Sequence, residues 1–316
     1  MDKGSFPKKG SPAPVIRRVD DAKFEVNLPK AISEFQNAMH KFPIKKILYK
    51  SIFRGKGLEF DSFREFGEGE DASLVDWKAS LRANTMLARS YIEERNIAVY
   101  FILDVSNSML FGSGKRLKAE YAAELVAALG HLILSSGDKV GVLMVSGDIV
   151  KFLRPSNDLK QFQLFSKYIS DASLYGGGFN LDKALEHVLS QGLRKESVFI
   201  LVSDFVLMHK KIEGILKVLG HRFETMAIMV RDPLDEHLPD VSYQFAIQDP
   251  YSGRQMVVDP TLTAKKYSEN VLIKKNILKN ILKKSRIDLM EVVIDKPFII
   301  PIMSFLKSRA SGGIHR

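Results

Sequence analysis

The sequence predicts an α/β protein whose central sheet is mostly parallel and carries helices on both faces. Short apolar runs at 97–104, 139–146, 197–204 and 224–232 have the β-branched and aromatic content of strands covered on both sides. Longer segments between them place apolar residues at helical spacing. The two kinds of segment alternate along the chain, the order that winds successive strands into a parallel sheet.

In order from residue 97, "IAVYFILD" reads as a buried strand, and "RLKAEYAAELVAALGHLILSSG" as a helix that Gly137 ends. "KVGVLMVS" is the next strand, and "IVKFLRP" is its hairpin partner across a Gly-Asp turn. Helices near 157–170 and 181–190 flank "GGGFN". "SVFILVSD" is a buried strand that again closes on an acid, "HKKIEGILKVLG" a helix, and "ETMAIMVRD" a further strand of the same kind. Beyond residue 240, two strands bracket a "DPYSG" turn, followed by a lysine-rich helix over 262–285, the strand "IDLMEVVID" and a short helix from about residue 298. Before residue 97, "PKAISEFQNAMHKF" reads as an amphipathic helix, and "TMLARSYIEE" as a strand turning back into the one at 97; the rest is mixed. These patterns divide the chain into a basic leader (1–28), an N-terminal segment (29–96), the α/β domain (97–240) and a C-terminal set of strands and helices completing or extending it (241–316).

The 316 residues contain no cysteine, which excludes disulfides and thiolate metal sites. No apolar run reaches the roughly 18 residues of a membrane span, and the leader lacks a secretory core, so a cytoplasmic protein is expected. The net charge of +10 is segregated: residues 1–56 hold 13 Lys/Arg against 5 Asp/Glu, and residues 261–316 hold 12 against 4. Such ends suit the chain's own acidic middle, a membrane surface, a nucleic acid, an acidic protein or plain solvation. In the helix at 262–285, Leu and Ile fall at helical spacing and suggest a core-facing stripe with lysines on the wet side, which argues against a nucleic-acid arm.

The most specific chemistry lies in "YFILDVSNSML". Asp104 closes a strand, and Ser106 and Ser108 follow at every second residue; Asp204 closes another strand. In a parallel sheet the carboxyl ends of the strands share one rim, so the two acids arrive together. Carboxylate and hydroxyl oxygens suit a hard divalent cation such as Mg²⁺, with a coordination position left for a partner's carboxylate. The alternative is that these side chains bond loop amides and cap the next helix.

The order Asp-x-Ser-x-Ser, Gly-rich turn, "FILVSD" resembles the von Willebrand factor A domain and its metal-ion-dependent adhesion site. The resemblance implies a Rossmann-like fold and a cation (Mg²⁺, Mn²⁺ or Ca²⁺) held by Asp104, Ser106, Ser108 and Asp204. Where that family has a threonine ligand this chain has Phe179, so Asn180, Asp182 or water must substitute, or the domain keeps the fold without metal.

"GLEFDSFREFGEGEDASLVDWKASLRANTMLARSY", "RDPLDEHLPD", "DPYSGRQMVVDP" and "KPFIIPIMSFLKSR" together resemble the family catalogued as domain of unknown function 58, over roughly residues 50–310. That resemblance implies an adaptor or co-chaperone working with a MoxR-type AAA+ ATPase. Glu59, Arg64, Asp71, Asp76, Trp77 and Arg82 are the candidate docking residues, since Trp and Arg anchor interfaces. The competing expectation is that Trp77 packs in a core and the arginines pair with nearby acids.

An enzyme would be a Mg²⁺-dependent phosphohydrolase with Asp104 as nucleophile. Ser106 stands where such enzymes carry a second aspartate, the seven histidines show no ligand spacing, and no phosphate-binding Gly-Lys-Ser/Thr loop is present. The sequence therefore points to a non-enzymatic, protein-binding role.

Overall fold

A computed structural model describes residues 24–40, 58–67, 70, 72–93, 97–194, 196–207 and 212–310. Among these, β3 (Ala98–Asp104), β4 (Lys139–Val145), β5 (Ile149–Ser156), β6 (Val198–Ser203), β7 (Glu224–Arg231) and β10 (Asp288–Val293) form one six-stranded sheet in the order β5-β4-β3-β6-β7-β10. Every pairing is parallel except that of β4 with β5, which is the expected hairpin. The chain winds outward from β3 through β4 and β5, then returns to the other side of β3 and winds outward again. Strand order therefore reverses between β3 and β6, and a crevice opens at their carboxyl ends.

Each central strand serves two cores because successive side chains point to opposite faces. Val99, Phe101 and Leu103 of β3 join one apolar cluster, while Tyr100 and Ile102 join the other. On the first face lies α3 (Lys118–Ser135), whose nearly continuous Ala/Leu/Val sequence is buried along almost its whole length. α1 (Leu28–His40) closes over it through Phe35, which meets Phe298 just before α8 (Ile299–Ala310). Arg309 of α8 pairs with Glu224 and, at 2.7 Å, with Asp288, so that helix is pinned to β7 and β10. α4 (Gln161–Ile169) packs beside α3 through Phe165, which stands edge-on to Phe101 at 5.8 Å between ring centres. The second face is covered by α5 (Leu181–Ser190), α6 (Ile212–Arg222) and the end of α7 (Pro260–Lys284).

Two expectations change. In α7, apart from Pro260 at its start, only Leu278, Ile281 and Leu282 are buried, whereas Leu262, Leu272, Ile273 and Ile277 are exposed, so the core-facing stripe is confined to the final turns. The strand around 85–94, β2 (Leu87–Glu93), does not turn back to pair with β3. It pairs antiparallel with β1 (Leu58–Glu65), and the two form a separate sheet carrying α2 (Trp77–Ala83). A third small sheet is the hairpin of β8 (Phe245–Gln248) and β9 (Gln255–Val258), with "DPYSG" at its tip. No described helix is long and apolar enough to cross a membrane.

Candidate functional site

Asp104, Ser106, Ser108 and Asp204 meet at the crevice between β3 and β6. The two hydroxyl oxygens are 3.3 Å apart. One oxygen of Asp104 accepts the Ser106 N–H at 2.9 Å, and the other accepts the Ser203 hydroxyl at 2.6 Å. Ser203 Oγ in turn accepts the Phe205 N–H at 2.9 Å, so the carboxylate is locked to both strands' loops. Burial, then repulsion from Asp204, push the Asp104 carboxyl up to about 6, against the pull of the serine hydrogen bonds.

Asp204 differs because it has a counter-charge. Lys118, the first residue of α3, lays its ammonium 2.7 Å from Asp204 Oδ2 and 2.9 Å from Asp235 Oδ2. Lys118 is 2% exposed and Asp204 1%. Burial alone would raise the Asp204 carboxyl; the Lys118 charge and hydrogen bond outweigh it and hold the group below the usual carboxylate range. Burial likewise opposes the charged lysine, yet the two aspartates raise its pKa. Asp235 sits in the turn after β7, where its Oδ2 also accepts the Asp232 N–H at 2.9 Å. Asp232 accepts from the Ser113 amide at 2.7 Å and from the Leu234 amide at 2.8 Å. One ammonium thus joins the ends of β6 and β7 to the start of α3.

The site is closed from above rather than open to water. The β8–β9 hairpin folds over it, and the Tyr251 hydroxyl lies 3.1 Å from Ser106 Oγ. Asn107 secures this cover: its Nδ2 donates to the Pro250 carbonyl at 3.0 Å, and its Oδ1 accepts the Gly177 N–H at 2.8 Å. Gly177 has φ +89, and a Cβ there would meet Ser146 Oγ at 3.3 Å, which is why glycine suits the loop. Phe179 packs against the second core and offers no oxygen, and Asn180 Oδ1 caps α5 by accepting the Lys183 N–H at 3.3 Å. Asp182 lies in the first turn of α5.

The donor set does not fit a divalent cation. Both Asp104 oxygens already accept hydrogen bonds, Asp204 Oδ2 is taken by an ammonium while its Oδ1 accepts the Val206 N–H at 3.1 Å, and the loop that would supply a further oxygen presents Phe179. Two neutral serine hydroxyls and a tyrosine remain, a weak set for Mg²⁺. The residues that complete the site and escaped sequence reasoning are Lys118, Ser203, Asp235 and Tyr251. Their signals, a lysine opening an apolar helix, a serine before Asp204, "DPLD" and "DPYSG", are intelligible only once the strands are side by side.

The candidate docking residues lie elsewhere. Arg64 donates to Glu70 Oε2 at 2.8 Å, and Asp76 caps α2 by accepting the Lys78 and Ala79 amides, both at 3.0 Å. Ser80 fastens α2 to β2, its hydroxyl donating to the Asp76 carbonyl at 2.7 Å and accepting the Leu87 N–H at 2.9 Å. Trp77 and Leu81, four residues apart on the helix, point outward, 62% and 83% exposed. The expectation that Trp77 packs in a core fails here. Phe63 and Met86 are exposed nearby in sequence, and a shallow cavity of about 410 Å³ is lined by Phe63, Asp76, Lys78, Ala79, Arg82, Ala83 and Leu87. Glu59 lies in β1 opposite Ile92, and Asp71 is outside the described residues.

A family model described as "Protein of unknown function DUF58" matches residues 62–275. Curated relatives include "Uncharacterized protein Mb1516" of Mycobacterium bovis and "Uncharacterized protein Rv1480" of Mycobacterium tuberculosis. Each is 24% identical over 266 residues, covering 83% of either chain. Similar solved structures include a conserved hypothetical protein BatB from Bacteroides thetaiotaomicron, 15% identical with TM-score 0.44, covering 68% of this chain and 100% of that one. Another is the SpRpn10 VWA domain, 9% identical with TM-score 0.37, covering 66% and 95%.

Proposed function

This chain belongs to the DUF58 family, and from that premise we propose that it is a non-catalytic adaptor that docks a protein partner on the surface around α2, at Phe63, Trp77, Lys78, Leu81, Arg82 and Met86. Trp77 and Leu81 carry this reading: both point into water from a short helix that Ser80 ties to β2 through the Leu87 amide. Large apolar side chains exposed to water beside a cavity lined by Lys78, Arg82 and Asp76 are the composition of an interface centre. The partner is a MoxR-type AAA+ ATPase, as the family resemblance implies. The β3/β6 crevice serves as a structural clasp and takes no divalent cation.

A phosphohydrolase reading has less support, since a nucleophilic carboxylate must reach its substrate, and Asp104 is 3% exposed with both oxygens engaged. The test is co-elution of the purified chain with a MoxR-type ATPase from the same source, repeated with Trp77→Ala and Leu81→Ser. A complex weakened roughly 30-fold or more by Trp77→Ala, the loss expected of a hot spot, supports the proposal. No complex, or one indifferent to both substitutions, overturns it. Concentration-dependent self-association lost in the same variants would instead assign the surface to a second copy of this chain.

A further inference from the structure

We infer that the ammonium of Lys118 is the resident cation of the β3/β6 crevice, filling the electrostatic role of a divalent ion and leaving the fold indifferent to divalent metals. The crevice is separate from the surface around α2, and its cation is the same whatever partner docks there.

The charge pattern of the cluster leads to it. Three acids, Asp104, Asp204 and Asp235, converge where β3, β6 and β7 end, and the two that contact a cation contact the same one, at 2.7 and 2.9 Å. Asp104, which lacks that contact, is satisfied by neutral donors. Paired buried charges persist only when closely matched and hydrogen-bonded, and this ammonium meets both conditions. Its stem enters from the first turn of α3, so the cation is covalently part of the sheet's own cover, and the Phe111 ring lies 5.6 Å from the nitrogen. A divalent ion bound to Asp204 would sit within a few ångströms of this fixed positive charge in surroundings that screen poorly, and the repulsion would oppose its entry. Tyr251 and the Asn107 tie to Pro250 then close the space above the serines.

The test uses the full chain and Mn²⁺ alone as the probe, read by electron paramagnetic resonance and by melting at constant ionic strength. The wild type is expected to show no saturable Mn²⁺ binding and no Mn²⁺-dependent shift in Tm. Lys118→Met leaves Asp204 and Asp235 unbalanced; it is expected to melt lower, to bind one Mn²⁺, and to recover part of the lost Tm when Mn²⁺ is added. Saturable Mn²⁺ binding by the wild type that disappears in Asp104→Asn would overturn the inference. So would a Lys118→Met chain that neither binds nor is restored, including one that stays unfolded in Mn²⁺, because an ion would then have failed to replace the ammonium.

Discussion

Replacing Asp104 with asparagine isolates the cost of an ionised carboxylate at the dry end of the sheet. Its carboxyl is pushed from the ordinary 3.8 up to about 6, first by burial and then by Asp204. The folded chain therefore holds this proton more tightly than the unfolded chain does. The group's contribution to stability is complete below the unfolded value, declines as pH rises, and is gone above about 6. A shift of that size corresponds to about 3 kcal/mol. Asparagine does not ionise, and its amide oxygen still accepts the Ser106 N–H. In urea unfolding from about pH 4 to about pH 8, the stability of Asp104→Asn relative to wild type should climb by about 2.4 kcal/mol, most of the full shift, and level off above about pH 6 to 7. Asp204, whose pKa is lowered, loses stability in the opposite sense, as pH falls below the usual carboxylate range, and does so in both proteins. Parallel stability curves for the two proteins would refute the reasoning, since Asp104 would then ionise as freely folded as unfolded.

Further substitutions probe the cover and the chemistry. Gly177→Ala places a Cβ at φ +89 and 3.3 Å from Ser146 Oγ, and should cost about 1–2 kcal/mol in chemical denaturation; no loss would mean the loop is free to rearrange. Tyr251→Phe deletes the contact with Ser106 and should lower stability by about 1 kcal/mol, read from the urea midpoint, whereas an unchanged midpoint would separate the hairpin from the crevice. Phosphate monoesters with Mg²⁺ should not turn over; turnover abolished by Asp104→Asn would replace the adaptor with an enzyme.

The alternating units after residue 97 were legible because buried parallel strands and their helices have long, regular patterns, and the strand-closing acids followed from topology. Other parts were opaque for definite reasons. β1 reads as mixed because a bulge between Phe60 and Ser62 shifts its register, so apolar residues fall out of strict alternation. α2 spans only seven residues, too few for a helical period to emerge. Nothing in a linear reading distinguishes Lys118 from the solvated lysines of other helices; it is buried because Asp204 and Asp235, 86 and 117 residues away, arrive beside it. The exposure of Trp77 was hidden for a different reason: which side of so short a helix faces water depends on how the chain turns from it into β2, where the Leu87 amide meets the Ser80 hydroxyl.

Trp77 is the chain's only tryptophan, so its fluorescence reports on the proposed docking surface without labelling. Titrating the purified chain with a non-fluorescent variant of the partner ATPase should move a solvent-exposed emission to the blue, saturating in step with complex formation. Complex formation that leaves the Trp77 emission unchanged would place the interface elsewhere and contradict the account.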